Sequence, residues 1–440
     1  VNRFSTLSHR RLQLLEHLES RTLLAGSNDP LLASQYALRQ AAVTDAWDRT
    51  RGSAAVVVAD LDSGADYTHQ DLYANIWINQ AEIPAPLKGR LRDVDRDGVI
   101  SFYDLNSRFN SRYVRDLNHN GYIDAGDLLT STKRGGWEDG VNGQSNVNDR
   151  YIDDIIGWDF AEGDNDPLDN GQANGGHGTH TAGILGAMGN NGVGISGVMQ
   201  KAAIMLVRIF DDAGGSVGAE LLARAIRYAA DAGARVANAS WGGNYGRQGD
   251  VLYHAIAYAG SKGQLFVTAA GNDSRNTDSI FVNTFPAEYE LDNIIVVGAT
   301  DQSGSMAYYS NFGSATVDLF APGSNILSTV PGNGYAMMSG TSMATPMVSG
   351  AAALMLSANP ELSVAQVKLR LLAGADQSVA LNGRAVSDGE LNVSNAVIAR
   401  RGQQLPDTAT DVPGIRYIVL LPPRYILLVP MSGDPLAWIV

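Results

Sequence analysis

There is no cysteine among the 440 residues, which excludes both a disulfide framework and a thiol nucleophile. Basic side chains are outnumbered: 32 lysines and arginines against 46 aspartates and glutamates give a net charge of −14, so nucleic acid is not an expected partner. No uninterrupted apolar run approaches the ~20 residues of a membrane helix; even the most apolar stretch, 415–440, is broken at Pro422, Pro423 and Pro430. What remains is 45% hydrophobic and 18% charged, the balance of a globular protein.

One stretch organises the rest. In Ser339-Gly340-Thr341-Ser342-Met343-Ala344-Thr345-Pro346 small residues crowd a serine, and an Ala-rich apolar run follows. The pattern predicts a buried helix with Ser342 in its first turn, Pro346 being tolerated early for want of an N–H to lose. A first-turn N–H lacks a helical partner and stands at the positive end of the dipole, conditions that suit a developing oxyanion. A plain N-cap serine would look the same, so its companions decide. Ala54–Val58 reads as a buried parallel strand opening into a turn at Asp62-Ser63-Gly64. His177 stands among glycines in Gly175-Gly176-His177-Gly178-Thr179-His180, ahead of a second Ala/Gly-rich helix. Acid, base and nucleophile thus run Asp62, His177, Ser342, one of the known chain orders of serine-protease triads.

On these three motifs the chain resembles the subtilases, the subtilisin-like serine peptidases, over about residues 28–399. The resemblance implies a three-layer α/β fold with a mostly parallel central sheet and helices on both faces. It implies an endopeptidase acting on proteins or peptides, with Asn272 as the oxyanion-hole amide. Ser240, Trp241 and Gly242, with Ala269, Ala270 and Gly271, are then the edges that flank a bound peptide. Phe285-Pro286 resembles a turn beside the S1 pocket, where a cis bond is plausible. His180, three residues on from His177 along the helix, is expected to project elsewhere. Asp60 departs from the family, which usually has an apolar residue there; it reads as a structural acid or as a like charge that raises a neighbour's pKa. The resemblance also implies a stabilising calcium held by Asp71 and Asn191 side chains and the Val193 and Ile195 carbonyls, with a bare glycine-rich loop as the alternative.

The span between Asp62 and His177 is longer than in a minimal subtilisin and carries a repeated pattern. Asp93, Asp95, Asp97, Val99, Ser101 and Asp104 fall at positions 1, 3, 5, 7, 9 and 12 of a loop with glycine at 6 and isoleucine at 8. Asp116, Asn118, Asn120, Tyr122, Asp124 and Asp127 repeat it. This is the EF-hand spacing, with Asp in place of the last Glu, and it serves a hard cation wanting six to eight oxygens. Metal-free Asp/Asn/Gly turns are the alternative; the tandem favours Ca2+ and resembles dockerin repeats, which leaves partner binding through the insertion open. The two isoleucines are expected to pair the loops in a short sheet.

The organisation expected is therefore a leader over 1–27, a peptidase domain over 28–399 with an insertion at about 80–155, and an apolar tail over 400–440. The basic, leucine-rich leader resembles an export segment of bacterial proteins, which implies an extracellular or cell-surface location; a surface amphipathic helix is the other reading. The tail reads as a strand pair, a truncated further domain or a misread end. A catalytically silent, calcium-dependent binding module is the alternative to an active enzyme.

Overall fold

The computed structural model describes residues 27–140, 151–172, 175–243, 246–279 and 281–397, with two short strand pieces, Leu420–Leu421 and Tyr425–Ile426, that pair antiparallel. The expected leader, Ser27 apart, and the rest of the expected tail lie outside the described residues.

The central sheet is built from Gly52–Asp62 (β1), Gly157–Asp159 (β2), Lys201–Arg208 (β3), Val236–Ala239 (β4), Leu265–Ala269 (β5), Ile294–Thr300 (β6) and Leu319–Pro322 (β7). An antiparallel hairpin, Ile326–Val330 (β8) with Gly334–Met338 (β9), stands apart from it. Asp376–Gln377 (β10) and Gly389–Glu390 (β11) close the far edge. The order is β10-β11-β7-β6-β5-β4-β1-β3-β2, parallel except for the β10–β11 pair. Apolar residues alternate between two cores as the pleat requires: on β3, Ile204 and Leu206 join one cluster, Ala203, Met205 and Val207 the other. Both faces are covered, which is why these strands read as continuous apolar runs.

Helices His177–Gly186 (α1) and Thr341–Ala358 (α4) fill one face, Ala219–Asp231 (α2) and Val251–Ser261 (α3) the other. α4 is buried nearly all round, as its unbroken small and apolar composition demands. β1 is the strand at which the order reverses, with β3 on one side and β4 on the other. The carboxyl end of such a strand opens into a crevice, the usual ligand site of open α/β sheets. Asp62 is its last residue.

The β8–β9 hairpin is fastened to α1 by hydroxyls: Ser328 Oγ donates to His180 O and Thr329 Oγ1 to Thr179 O, each at 2.7 Å. Gly183 is what lets the two approach, since a Cβ there would overlap both hydroxyls. Gly183→Ala should therefore lower unfolding stability by about 1–3 kcal/mol, measured by thermal or denaturant unfolding.

Candidate active site

The first two links are set by β1 and the start of α1. Asp62 is fully buried, and its Oδ1 accepts from Ser63 N at 2.8 Å and lies 2.7 Å from His177 Nδ1. A Cβ at Gly178 would overlap Gly64 O, so only glycine lets the helix start this close to the turn after β1. The first-turn N–H groups of α1 are capped from outside the helix: Gly178 N donates to Ser63 Oγ at 2.9 Å and Thr179 N to Asp169 Oδ2 at 3.0 Å. The His177 ring thus has Nδ1 engaged by Asp62. Burial works against its positive charge, but Asp62, by charge and hydrogen bond, with Asp60 and Asp169 behind it, raises its pKa above the ordinary value. His180 is different in kind. It is buried, its Nε2 meets Ala336 O at 3.2 Å, and desolvation takes its pKa down to about 4.

Ser342 stands in the first turn of α4 after Gly340 as N-cap. Pro346 lies in the second turn rather than the first, so it does remove a helical bond, the one its N–H would have given to Ser342 O. Ser240 replaces it: its Oγ donates to Ser342 O at 2.9 Å and itself accepts from Asn238 Nδ2 at 3.1 Å. The Ser240 side chain is thus occupied inside the protein, and the edge after β4 offers only backbone. Gly242 there is exposed while Trp241 is buried. Ala269 and Ala270 are buried; Gly271, at φ +102°, turns the chain toward Asn272. The Asn272 carbonyl oxygen accepts from Thr341 N at 2.8 Å and from Thr341 Oγ1 at 3.0 Å, which turns its NH2 end the other way. A Cβ at Gly340 would stand 3.5 Å from Asn272 Nδ2 and 3.6 Å from Ser342 N. Asn272 Nδ2 and Ser342 N thus both lie near the α-carbon of Gly340. The Phe285–Pro286 bond is cis, and Phe285 pairs with Gly243 in an antiparallel bridge.

The two acidic loops share one backbone course. Position 4 (Arg96, His119) and position 6 (Gly98, Gly121) have positive φ in both. Asp93 accepts from Arg96, Asp97 and Gly98 N; Asp116 accepts from Asn120 and Gly121 N. Asp104 and Asp127 each accept from positions 2 and 9. Carboxylate oxygens of Asp93, Asp95 and Asp97 lie within 4.8 Å of one another, and Lys201 Nζ bonds to Asp95 and Asp97. In the second loop the Asn118 and Asn120 amides donate to Asp124. The expected pairing of the loops through their isoleucines does not form. Gln80 takes both backbone groups of Ile100 and Asn106 both of Ile123, because amide side chains match a strand edge as well as a strand does.

At the other expected calcium position Asp71 accepts from Asn191 Nδ2 at 2.7 Å and Ile195 N at 2.8 Å, and Val193 N donates to Asn191 Oδ1. Desolvation pushes the Asp71 carboxyl up to about 7. Two groups there had no signal in the sequence. Asp29 accepts from Asn190 and Asn191 N, and Tyr335 OH donates to Asp71 at 3.2 Å.

Residues 53–396 match the subtilase family. The chain is 44% identical over 214 residues to thermitase of Thermoactinomyces vulgaris, across 49% of this chain and 71% of that one. It is 46% identical over 204 residues to the thermophilic serine proteinase of Bacillus sp. (strain AK1), of whose length it spans 47%. Among solved structures, a protease of Pseudoalteromonas arctica PAMC 21717 aligns with a TM-score of 0.56 at 26% identity, over 84% of this chain and 98% of that chain.

Ser240→Ala would remove the hydroxyl that donates to the Ser342 carbonyl. We expect a loss of about 1–3 kcal/mol in unfolding stability and a lower kcat at similar KM, read from steady-state kinetics on a chromogenic peptide.

Proposed function

Since the chain belongs to the subtilase family of serine endopeptidases, we propose that it cleaves peptide bonds with Ser342 as nucleophile, His177 as base and Asp62 as its orienting acid. The observation that carries this reading is the buried 2.7 Å Asp62–His177 bond at the end of the strand where the sheet order reverses. His177 Nε2 takes the Ser342 proton as the hydroxyl attacks the carbonyl, then gives it to the leaving amine. Asp62 holds the Nδ1–H tautomer and stabilises the imidazolium. Ser342 N and Asn272 Nδ2 receive the oxyanion, and water hydrolyses the acyl-enzyme. A substrate strand pairs with the backbone at Ser240–Gly242 and Ala269–Gly271.

The domain reading is a peptidase over 28–399 with an inserted pair of loops at about 80–155, and an exported, extracellular or cell-surface location. The loops fit calcium. Three carboxylates converge in the first, with the Val99 carbonyl, Ser101 and Asp104 completing the spacing; the second offers Asp116, Asn118, Asn120, the Tyr122 carbonyl, Asp124 and Asp127. Lys201 competes for the first set, so binding there displaces an ammonium. Asp71, Asn191 and the Val193 and Ile195 carbonyls form the other calcium position.

A fluorophosphonate probe at pH 8 should label the wild type and not Ser342→Ala; folded, calcium-loaded wild type that takes no label would favour the silent binding module instead. Asn272→Ala should lower kcat by roughly 10²–10³, the usual loss on removing such a donor. Chelation should lower the melting temperature, and Asp95→Asn/Asp97→Asn should shrink that drop. An unchanged melting curve with and without chelator would remove calcium from this reading.

A further inference from the structure

Behind the triad lies a carboxyl that the mechanism above does not use. Asp60 is 1% exposed, two residues before Asp62 on the same face of β1. Its two oxygens lead to the two helices that bear His177 and Ser342. Oδ2 lies 3.0 Å from Thr181 Oγ1 on α1, and the same hydroxyl lies 3.0 Å from Gly178 O, the carbonyl next to His177. Oδ1 accepts from Asn238 Nδ2 at 2.8 Å; that amide also reaches Ser240, which holds Ser342 O, while Asn238 Oδ1 accepts from Ser349 Oγ of α4 at 2.8 Å.

The geometry points to Asp60 as a positioning residue for the proposed triad, tying β1 to the starts of both helices and tuning the basicity of His177 by gaining or losing a proton. Thr181 is the element that lets both states exist. When Asp60 is ionised, the hydroxyl donates to Oδ2. When Asp60 carries a proton, Oδ2–H donates to Thr181 Oγ1 and the hydroxyl turns to Gly178 O. Neither state leaves a donor stranded, and the released proton goes to water. Burial and then the Asp62 charge push the Asp60 carboxyl up to about 8, opposed by its bonds to Asn238 and Thr181.

Among the described residues, few other charges face this group. Asp62 shares its strand, His177 and His180 stand on α1, and Asp169 lies on the loop ahead of that helix. β4 and α4 contain no titratable side chain. Arg208, at the end of β3, is engaged by Asp159 and Asp212. The sign follows. An ionised Asp60 stabilises the imidazolium that forms during catalysis, so activity gains a second increment as pH rises through the Asp60 ionisation.

The inference rests on the peptidase reading, and its test is separable from it. The profile of kcat/KM against pH for wild type should rise in two ionisations, the later one worth roughly three- to tenfold. Asp60→Asn, which mimics the protonated carboxyl, should keep only the first. Superimposable profiles for the two proteins would overturn the proposal, whereas a merely structural Asp60 would alter stability and leave the profile shape alone. A second readout needs neither activity nor a folded Asn variant: the His177 imidazole resonances of Ser342→Ala protein, followed by NMR against pH. Two steps support the assignment, and a single step overturns it. Wild type that neither hydrolyses peptide nor takes the probe defeats the peptidase reading alone, since the NMR titration still decides the role of Asp60.

Discussion

The site depends on how closely α1 approaches the turn that ends β1. The Asp62–His177 bond is short and its acid fully buried, a combination that needs backbone against backbone at Gly178 and Gly64. An isolated carboxylate in that position would be strongly disfavoured. Here it is held by the Ser63 N–H and the imidazole, while burial and then the Asp62 charge push Asp60 beside it toward the neutral form. Burial thus falls on both acids, one engaged by the imidazole and the other pushed toward its proton.

Much of this was legible in the chain. The three motifs around Asp62, His177 and Ser342 are local, and each reports a turn or helix start in its own few residues. The α/β class followed from the resemblance those motifs carry, and the strand expected at Ala54–Val58 lies inside β1. What the sequence concealed is tertiary. Ser63 and Asp169 cap a helix far along the chain, and Asn238 links Asp60 to Ser349 across two layers. No periodicity encodes such contacts.

Pro346 shows how a small misplacement matters. Early in the helix it is expected to be tolerated; at its place in the second turn it lacks the N–H that would reach the Ser342 carbonyl, and the hydroxyl of Ser240, just after β4, donates there. The proline therefore couples the proposed nucleophile to the edge along which a peptide is proposed to lie. The acidic loops teach a related lesson. Their repeat was visible as a ligand pattern, and their shared backbone course agrees with it, but Gln80 and Asn106, which dock them, belong to no repeat.

The interacting groups are also widely spaced along the polypeptide: β1 lies near the start of the described chain, α4 near its end, and they pack directly on one another. Such long-range closure makes for high contact order and slow folding. Both β1 and α4 must have left the ribosome before the proposed nucleophile can meet the proposed base. A growing polypeptide that stops short of α4 carries the proposed base and its acid but no proposed nucleophile, and so holds back the proposed chemistry.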